Sequence, residues 1–272
     1  MYFKRTLLMF WIQNIDQSFF AFPLNLILAA LWILTVYFLY NKYRGSLLVR
    51  FMLSPIATIT ALGAFATACV VIGLTGNREI VVSWIFVLIS FFLLTVLLFV
   101  ILRGWRRRGA DGVLYVRWRF ILLHVGLLVA FGSGFWGAPD SQTLRLQVFE
   151  GMPVKEAFLM NGKSVWLPYE ISLKSVEIDT WENGVPSYTA ADIVVDGYEA
   201  RVAVNHPYSR KSGEDIYITA YGGTADGEVP YCILQIVREP WKYGMAAGIL
   251  MLLAGALLLF LNGPQNASVK ED

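Results

Sequence analysis

Five stretches of this chain are too long and too apolar to fold as ordinary soluble elements. They run over roughly residues 22–40, 53–74, 81–102, 120–136 and 242–261, and a helix needs about 17–25 apolar residues to cross the hydrocarbon of a bilayer. Inside lipid each backbone amide must find its partner within its own segment, so all five are expected to be helices. Trp84, Trp105, Trp136, Trp241 and Tyr243 fall at segment ends, where amphipathic rings favour the headgroup layer. Composition agrees: the chain is 57% hydrophobic and 15% charged, against about 45–50% and about 25% for a soluble domain. An ordinary cytosolic enzyme, a disordered chain and a nucleic-acid-binding domain are excluded. No short apolar run with a small-residue cleavage site precedes the first segment, so no cleaved signal peptide is expected.

Charge is divided unevenly along the chain. Residues 137–241 hold 8 Lys/Arg and 15 Asp/Glu, a net −7, while the remainder holds 14 and 5, a net +9. Arginine and lysine gather after the first segment (Lys42, Arg44, Arg50) and after the third (Arg103, Arg106, Arg107, Arg108, then Arg117 and Arg119). The positive-inside tendency makes both loops cytoplasmic. Parity then puts residues 137–241 and the 75–80 turn outside, and the C-terminus inside. Residues 6–21 carry Gln13, Asn14, Asp16 and Gln17. Those side chains make a crossing costly, so this stretch is expected to lie along the membrane surface.

The acidic block reads as β structure. Residues 165–176 are rich in β-formers, and 192–195 pairs with 199–204 across Asp196-Gly197. Segments 215–221 and 231–237 follow, with a glycine-rich turn at Gly222-Gly223 between them and further turn signals at Asn161-Gly162 and Asn183-Gly184. Asn-Gly and Asp-Gly supply the positive φ angles of tight hairpins. No amphipathic helix interrupts the block, so a small antiparallel sandwich or barrel is expected.

Few side chains can carry chemistry. Cys69 lies in the second membrane segment and Cys232 in an outer strand, with no Cys-x-x-Cys pair, so neither a disulfide framework nor a zinc site is expected. His124 follows the last cytoplasmic arginine by five residues, about 7–8 Å into the membrane at 1.5 Å per residue. An imidazole there is either a metal ligand or a packing residue bonded to a neighbouring helix. The same helix repeats small residues at Gly126, Ala130 and Gly134, and the second segment does so at Ala57, Ala61, Ala64 and Ala68. Such faces let another helix approach closely, within the chain or from a partner. His206, in Val204-Asn-His-Pro207, reads as a turn residue, because proline after it ends strand pairing. Asn266-Ala-Ser matches a glycosylation sequon but falls on the cytoplasmic side. No phosphate-binding loop, intramembrane acidic pair or inverted repeat of broken helices is visible, which weighs against an ion-coupled carrier.

A more specific signal lies in the order of several short pieces. These are Leu122-Leu-His-Val-Gly-Leu-Leu128, Asn161-Gly-Lys163 with Leu167-Pro-Tyr-Glu-Ile171, Val204-Asn-His-Pro207, Ile216-Tyr-Ile-Thr-Ala-Tyr221, and Tyr231-Cys-Ile-Leu-Gln-Ile-Val-Arg-Glu-Pro-Trp241. Over roughly residues 115–262 the chain resembles the ResB (CcsB) family of System II cytochrome c biogenesis proteins. The resemblance implies a subunit that works with a CcsA-type membrane protein to carry haem b, as transient cargo, to the outer face for attachment to apocytochrome c. It implies that His124 is an axial ligand of haem iron, since this is the position matching the family's membrane histidine. The chain lacks the tryptophan-rich haem-handling motif of the CcsA-type partner, which implies that it does not by itself hold haem in the attachment-ready position, and no catalytic residue is assigned to it. The family arrangement has three helices before its outer domain; here there are four.

The expected architecture is therefore a polytopic α-helical protein of a bacterial cytoplasmic membrane with an inserted extracytoplasmic all-β domain. Residues 1–136 form a membrane region of four helices, 137–241 the β domain, and 242–272 a last transmembrane helix with a short cytoplasmic tail. Two rival functions fit the same outline: a membrane-anchored sensor or scaffold with an outer β binding domain, and a transporter subunit.

Overall fold

A computed structural model of the chain describes residues 17–108, 114–180, 186–222 and 231–262. The Asn183-Gly184 turn, Gly223, the Asn266 sequon and most of the 6–21 stretch lie outside the described residues; of that stretch, Gln17–Phe20 forms a turn of 3₁₀ helix. The chain divides into two compact units, one of residues 1–139 with 241–272, the other of residues 140–240.

The first unit is helical. Helices α1 (Leu24–Lys42), α3 (Pro55–Thr75), α4 (Trp84–Gly104), α5 (Trp118–Gly137) and α6 (Lys242–Asn262) are long and apolar enough to cross a membrane, and a short α2 (Leu47–Met52) joins the first two. These are the five segments read from hydropathy. Their ends follow local chemistry. Ser54 caps α3 by accepting from the Ala57 amide at 3.2 Å, with Pro55 at the first helical position, and Gly76 closes the helix at φ 63°. A serine cap satisfies an otherwise orphaned N–H, proline has none to lose there, and glycine takes the left-handed stop without strain. Ser83 caps α4 in the same way on Phe86.

Helix α4 is the centre of this bundle. Leu94, Val96, Leu98 and Phe99 are buried on it, while α1 and α3 present large apolar side chains outward, such as Leu34, Phe38, Ile56 and Ile59. In a bilayer an outward-facing apolar surface is solvated by lipid, so burial is required only where helices meet. Val36 and Val49 pack on Leu98 and Phe99, and Ala57 and Ala61 pack on Val96.

The second unit is one eight-stranded antiparallel sheet in the order β7-β6-β5-β4-β3-β10-β9-β8. Its strands are β3 (Gln142–Phe149), β4 (Val154–Leu159), β5 (Ser164–Thr180), β6 (Pro186–Val195), β7 (Tyr198–Ala203), β8 (Tyr208–Lys211), β9 (Glu214–Gly222) and β10 (Tyr231–Arg238); β1 (Arg106–Arg108) and β2 (Leu114–Val116) form a separate ribbon between α4 and α5. The sheet curls. Tyr169 on β5 and Glu214 on β9 stand four places apart in the strand order yet share a 2.9 Å hydrogen bond. Flat spacing would separate those strands by about 19 Å at 4.8 Å per strand. The terminal strands β7 and β8 are joined by a tight turn in which Ala203 and His206 exchange both backbone bonds, so the result is barrel-like.

Alternation builds its core. Leu144, Leu146 and Val148 on β3, Leu167, Tyr169, Ile171 and Leu173 on β5, and Cys232, Leu234 and Ile236 on β10 all point inward at every second residue. Two glycine turns form where the sequence places them. Asp196 and Gly197 have φ 52° and 83° between paired Val195 and Tyr198, and Gly162 has φ 83° in the β4–β5 turn. In β5 the pairing with β4 skips from Ile171 to Trp166 while β4 advances from Val154 to Glu156. Pro168 sits in that bulge, as expected of a residue with no N–H to give a ladder.

Candidate functional site

His124 lies on α5 one turn after Phe120, and this spacing decides its chemistry. Its Nδ1 stands 2.9 Å from the Phe120 carbonyl oxygen, and its ring stacks on the Phe120 ring with centroids 3.9 Å apart and planes 22° from parallel. A carbonyl oxygen can only accept, so Nδ1 carries the proton. In the neutral form of such a ring the lone pair is on Nε2. Metal-binding histidines are generally oriented by this kind of second bond, from the non-ligating nitrogen to a carbonyl or carboxylate. His124 is half-buried.

Phe120 is in turn held by its neighbours. A side chain at Gly104, at the end of α4, would collide with the Phe120 ring, so the glycine is what lets the ring lie there. The Arg117 guanidinium sits 4.9 Å from the ring centroid and donates to the Gly104 carbonyl at 3.3 Å. Arg103 donates to the Leu53 carbonyl at 2.7 Å, and Arg106 lies over Trp105. Together Arg103, Arg106 and Arg117, with Val100, Gly104 and Phe120, line a polar hollow of about 390 Å³. Among the described residues of the helical unit the sole acidic side chain is Glu79, in the α3–α4 turn. That is a whole helix away, about 30 Å at 1.5 Å per residue. The hollow is a cationic site with no described carboxylate partner, one helical turn from a lone-pair nitrogen.

Residues 112–231 match the model of the ResB-like family. Over that stretch the chain is ResB-like. No curated protein matches it. The ResB-like segment covers α5 and strands β3 to β9 and stops as β10 begins, so β10 and α6 fall outside the match although the sequence motifs extend into them. His124 is inside it. The match suggests involvement in cytochrome c biogenesis, and the five long apolar helices suit a membrane protein.

The small residues of α5 are also placed. A Cβ on Gly126 would meet the Gly248 carbonyl oxygen, the Leu252 amide nitrogen and the Met251 Cβ at 3.0 Å each, one on Gly248 would run into the Ala130 backbone, and one on Gly134 would touch Met245 at 3.4 Å. Gly126, Ala130 and Gly134 therefore face α6 of this same chain. On α3, Ala57 and Ala61 are buried against α4.

His206 is exposed in the β7–β8 turn, where Asn205 takes φ 66° and the His206 backbone closes the hairpin. Both cysteines are free, and burial pushes the Cys232 thiol up to about 12, leaving no thiolate at neutral pH. One cluster escaped sequence reasoning. Glu214, fully buried, accepts from Tyr169 at 2.9 Å and from Arg238 at 2.6 Å and pairs with Arg210, whose guanidinium also lies 3.9 Å from the Tyr169 ring centroid. Its members come from β5, β8, β9 and β10, so no local spacing announces it.

Proposed function

We propose that this chain is the ResB-like subunit of a System II cytochrome c synthetase, helping a CcsA-type partner carry haem b across the cytoplasmic membrane to apocytochrome c. The observation that carries the reading is the 2.9 Å contact between His124 Nδ1 and the Phe120 carbonyl, which occupies Nδ1 and leaves Nε2 to serve as an iron ligand. The arginine hollow beside Phe120 supports it. A porphyrin entering edge-on has two propionates, and guanidinium groups pair bidentately with carboxylates. Arginine clustering makes that end of the bundle cytoplasmic and the β domain extracytoplasmic. The second axial ligand comes from the partner, because the chain's other histidine is in the β domain.

The test is His124→Ala in the chain co-expressed with its CcsA-type partner. Haem copurifying with the pair, read as a pyridine haemochrome, should fall several-fold, and cytochrome c maturation should stop while both subunits remain inserted and associated. Imidazole in the medium should restore part of the activity by occupying the vacated position. Maturation at the wild-type rate in the alanine variant would make His124 a packing residue and end the assignment.

A further inference from the structure

At one end of the helical unit two short connections fix where their side chains can go. Residues 43–54, with α2 among them, join α1 to α3, and the β1–β2 ribbon lies between α4 and α5. Arg103, donating to the Leu53 carbonyl at 2.7 Å, ties the end of α4 to the first connection. Helix α4 has 21 residues, a rise of about 31 Å at 1.5 Å per residue, so its length is spent on the roughly 30 Å of hydrocarbon. The ribbon begins two residues later, at Arg106, and pairs three residues on each strand. That is a reach of about 10 Å at 3.4 Å per residue, against a headgroup layer about 5–7 Å deep on each side. The ribbon therefore stands in the headgroup layer and barely clears it.

Both connections present a mixed surface. On α2 Val49 is buried, whereas Leu47, Leu48 and Phe51 are exposed, Leu47 to 85%. On β2 Leu114, Tyr115 and Val116 are all exposed. Apolar side chains at this depth enter the boundary between headgroups and acyl chains, as those of interfacial segments do. Residues 41–54 and 103–119 hold nine Lys and Arg against one acidic residue, Asp111. Arg44, Arg50 and Arg106 are exposed. The Arg44 guanidinium lies 5.2 Å from the Tyr40 ring centroid, and that of Arg106 lies 3.7 Å from the Trp105 ring centroid. A guanidinium laid on a ring face keeps its N–H edge for an oxyanion.

Depth, apolar side chains and charge together select the occupant. At this depth the neighbours are lipid headgroups. A zwitterionic headgroup carries its own cation beside the phosphate and gains little from a cationic surface. An anionic headgroup has no cation of its own, and arginine takes phosphate bidentately. Haem does not account for the surface, since no residue of α2 lines the hollow beside Phe120. We infer that α2 and the β1–β2 ribbon form a binding site for anionic phospholipid of the leaflet at that end of the bundle. Arg44, Arg50 and Arg106 pair with its phosphates, and the leucines of α2 and β2 sit at the acyl boundary. The site does not use His124 and stands apart from the haem reading.

The experiment gives the full-length protein in detergent equal amounts of dioleoyl phosphatidylglycerol and dioleoyl phosphatidylcholine and compares the two lipid adducts by native mass spectrometry. Wild type should favour phosphatidylglycerol by about fivefold or more. Arg44→Gln/Arg50→Gln/Arg106→Gln should bind the two lipids equally, and lysine at the same three positions should keep most of the preference because the charge remains. Leu47→Ser/Leu114→Ser should lower adducts of both lipids. A second measurement needs no variant: raising ammonium acetate from about 0.1 to about 1 M shortens the screening length from about 10 to about 3 Å and should pull the wild-type ratio toward one. Equal binding by wild type would leave the surface to a protein partner and overturn the inference. A preference indifferent to salt, or one preserved in the glutamine variant, would overturn it as well. His124→Ala should keep the wild-type ratio while losing haem, so failure of one reading is separate from failure of the other.

Discussion

Glu214 keeps a charge in a side chain wholly removed from water because three groups from three other strands converge on it. Burial alone would raise its carboxyl, but the hydrogen bonds from Arg210, Arg238 and Tyr169 outweigh burial and hold it below its ordinary value of 4.5. Tyr169 moves the other way, from 10.0 up to about 12, through burial first and then through its bond to Glu214. The linkage has a definite sign. A depressed carboxyl contributes stability that is complete above pH 4.5 and disappears as pH falls through the lowered folded value. A raised phenol contributes stability that is complete below pH 10 and disappears between 10 and about 12. Glu214→Gln leaves two partly buried arginines without their counter-charge and should destabilise the β domain by about 3 kcal/mol. Chemical denaturation at a series of pH values checks both effects: the variant should unfold at lower urea at pH 7 and lose most of the wild type's decline below pH 4.5. His124 differs in being legible beforehand. It is a lone ionisable residue in an apolar helix, and its partner Phe120 lies at the i−4 spacing. Gly104, which gives Phe120 its room, gave no such signal because the contact crosses from one helix to the next.

Helices α5 and α6 pack through glycines on both sides: Gly126 on one, Gly244, Gly248 and Gly255 on the other, each with a neighbour that an added Cβ would crowd. The obstacle at Gly248 is the Ala130 backbone, which cannot rotate aside. Gly63 on α3 has nothing within 4 Å. Gly248→Leu should therefore cost more than about 2 kcal/mol by forcing the helices apart, and Gly63→Leu, the same change on another span, should be near neutral. Thermal melts of the two variants in one detergent decide it; equal melting temperatures would mean the α5–α6 contact does not hold the bundle. Among strands, the alternation Leu144, Leu146, Val148 was present in the sequence of β3, yet only 165–176, 192–195, 199–204, 215–221 and 231–237 stood out as strands. The Tyr208–Lys211 strand β8 is short and at the edge of the sheet, with only half its residues partly covered. In β4 Ala157 alone is fully buried, so neither strand shows the clean two-residue period.

At the scale of the whole molecule, the β domain draws its core from its own strands, from Leu144 on β3 through Ile236 on β10. Residues 140–240 expressed alone should fold, with a circular dichroism spectrum of antiparallel sheet; mainly helix, or no structure, would refute it. Orientation in the membrane has a separate check. Alkaline phosphatase fused after Ser141 should be active and fused after Arg108 inactive, since arginines flank the α4–α5 hairpin. The reverse pattern would turn the proposed haem entry to the wrong side of the membrane.

By itself the sequence determined the spans, their order and the class of the inserted domain, because lipid and the β pleat each impose a period that neighbouring residues must obey. Asp196-Gly197 and Asn161-Gly162 belong to the same kind of information, since a positive φ is a demand on one residue. Only the tertiary structure decided which surfaces meet. It put α6 against the small face of α5, brought Glu214 under two arginines and a tyrosine from other strands, and tied α1 to α5 through Asn25 and the Trp136 carbonyl. Those pairings join residues far apart in the chain, and a contact between distant segments depends on how the helices and the sheet close, which no local pattern encodes.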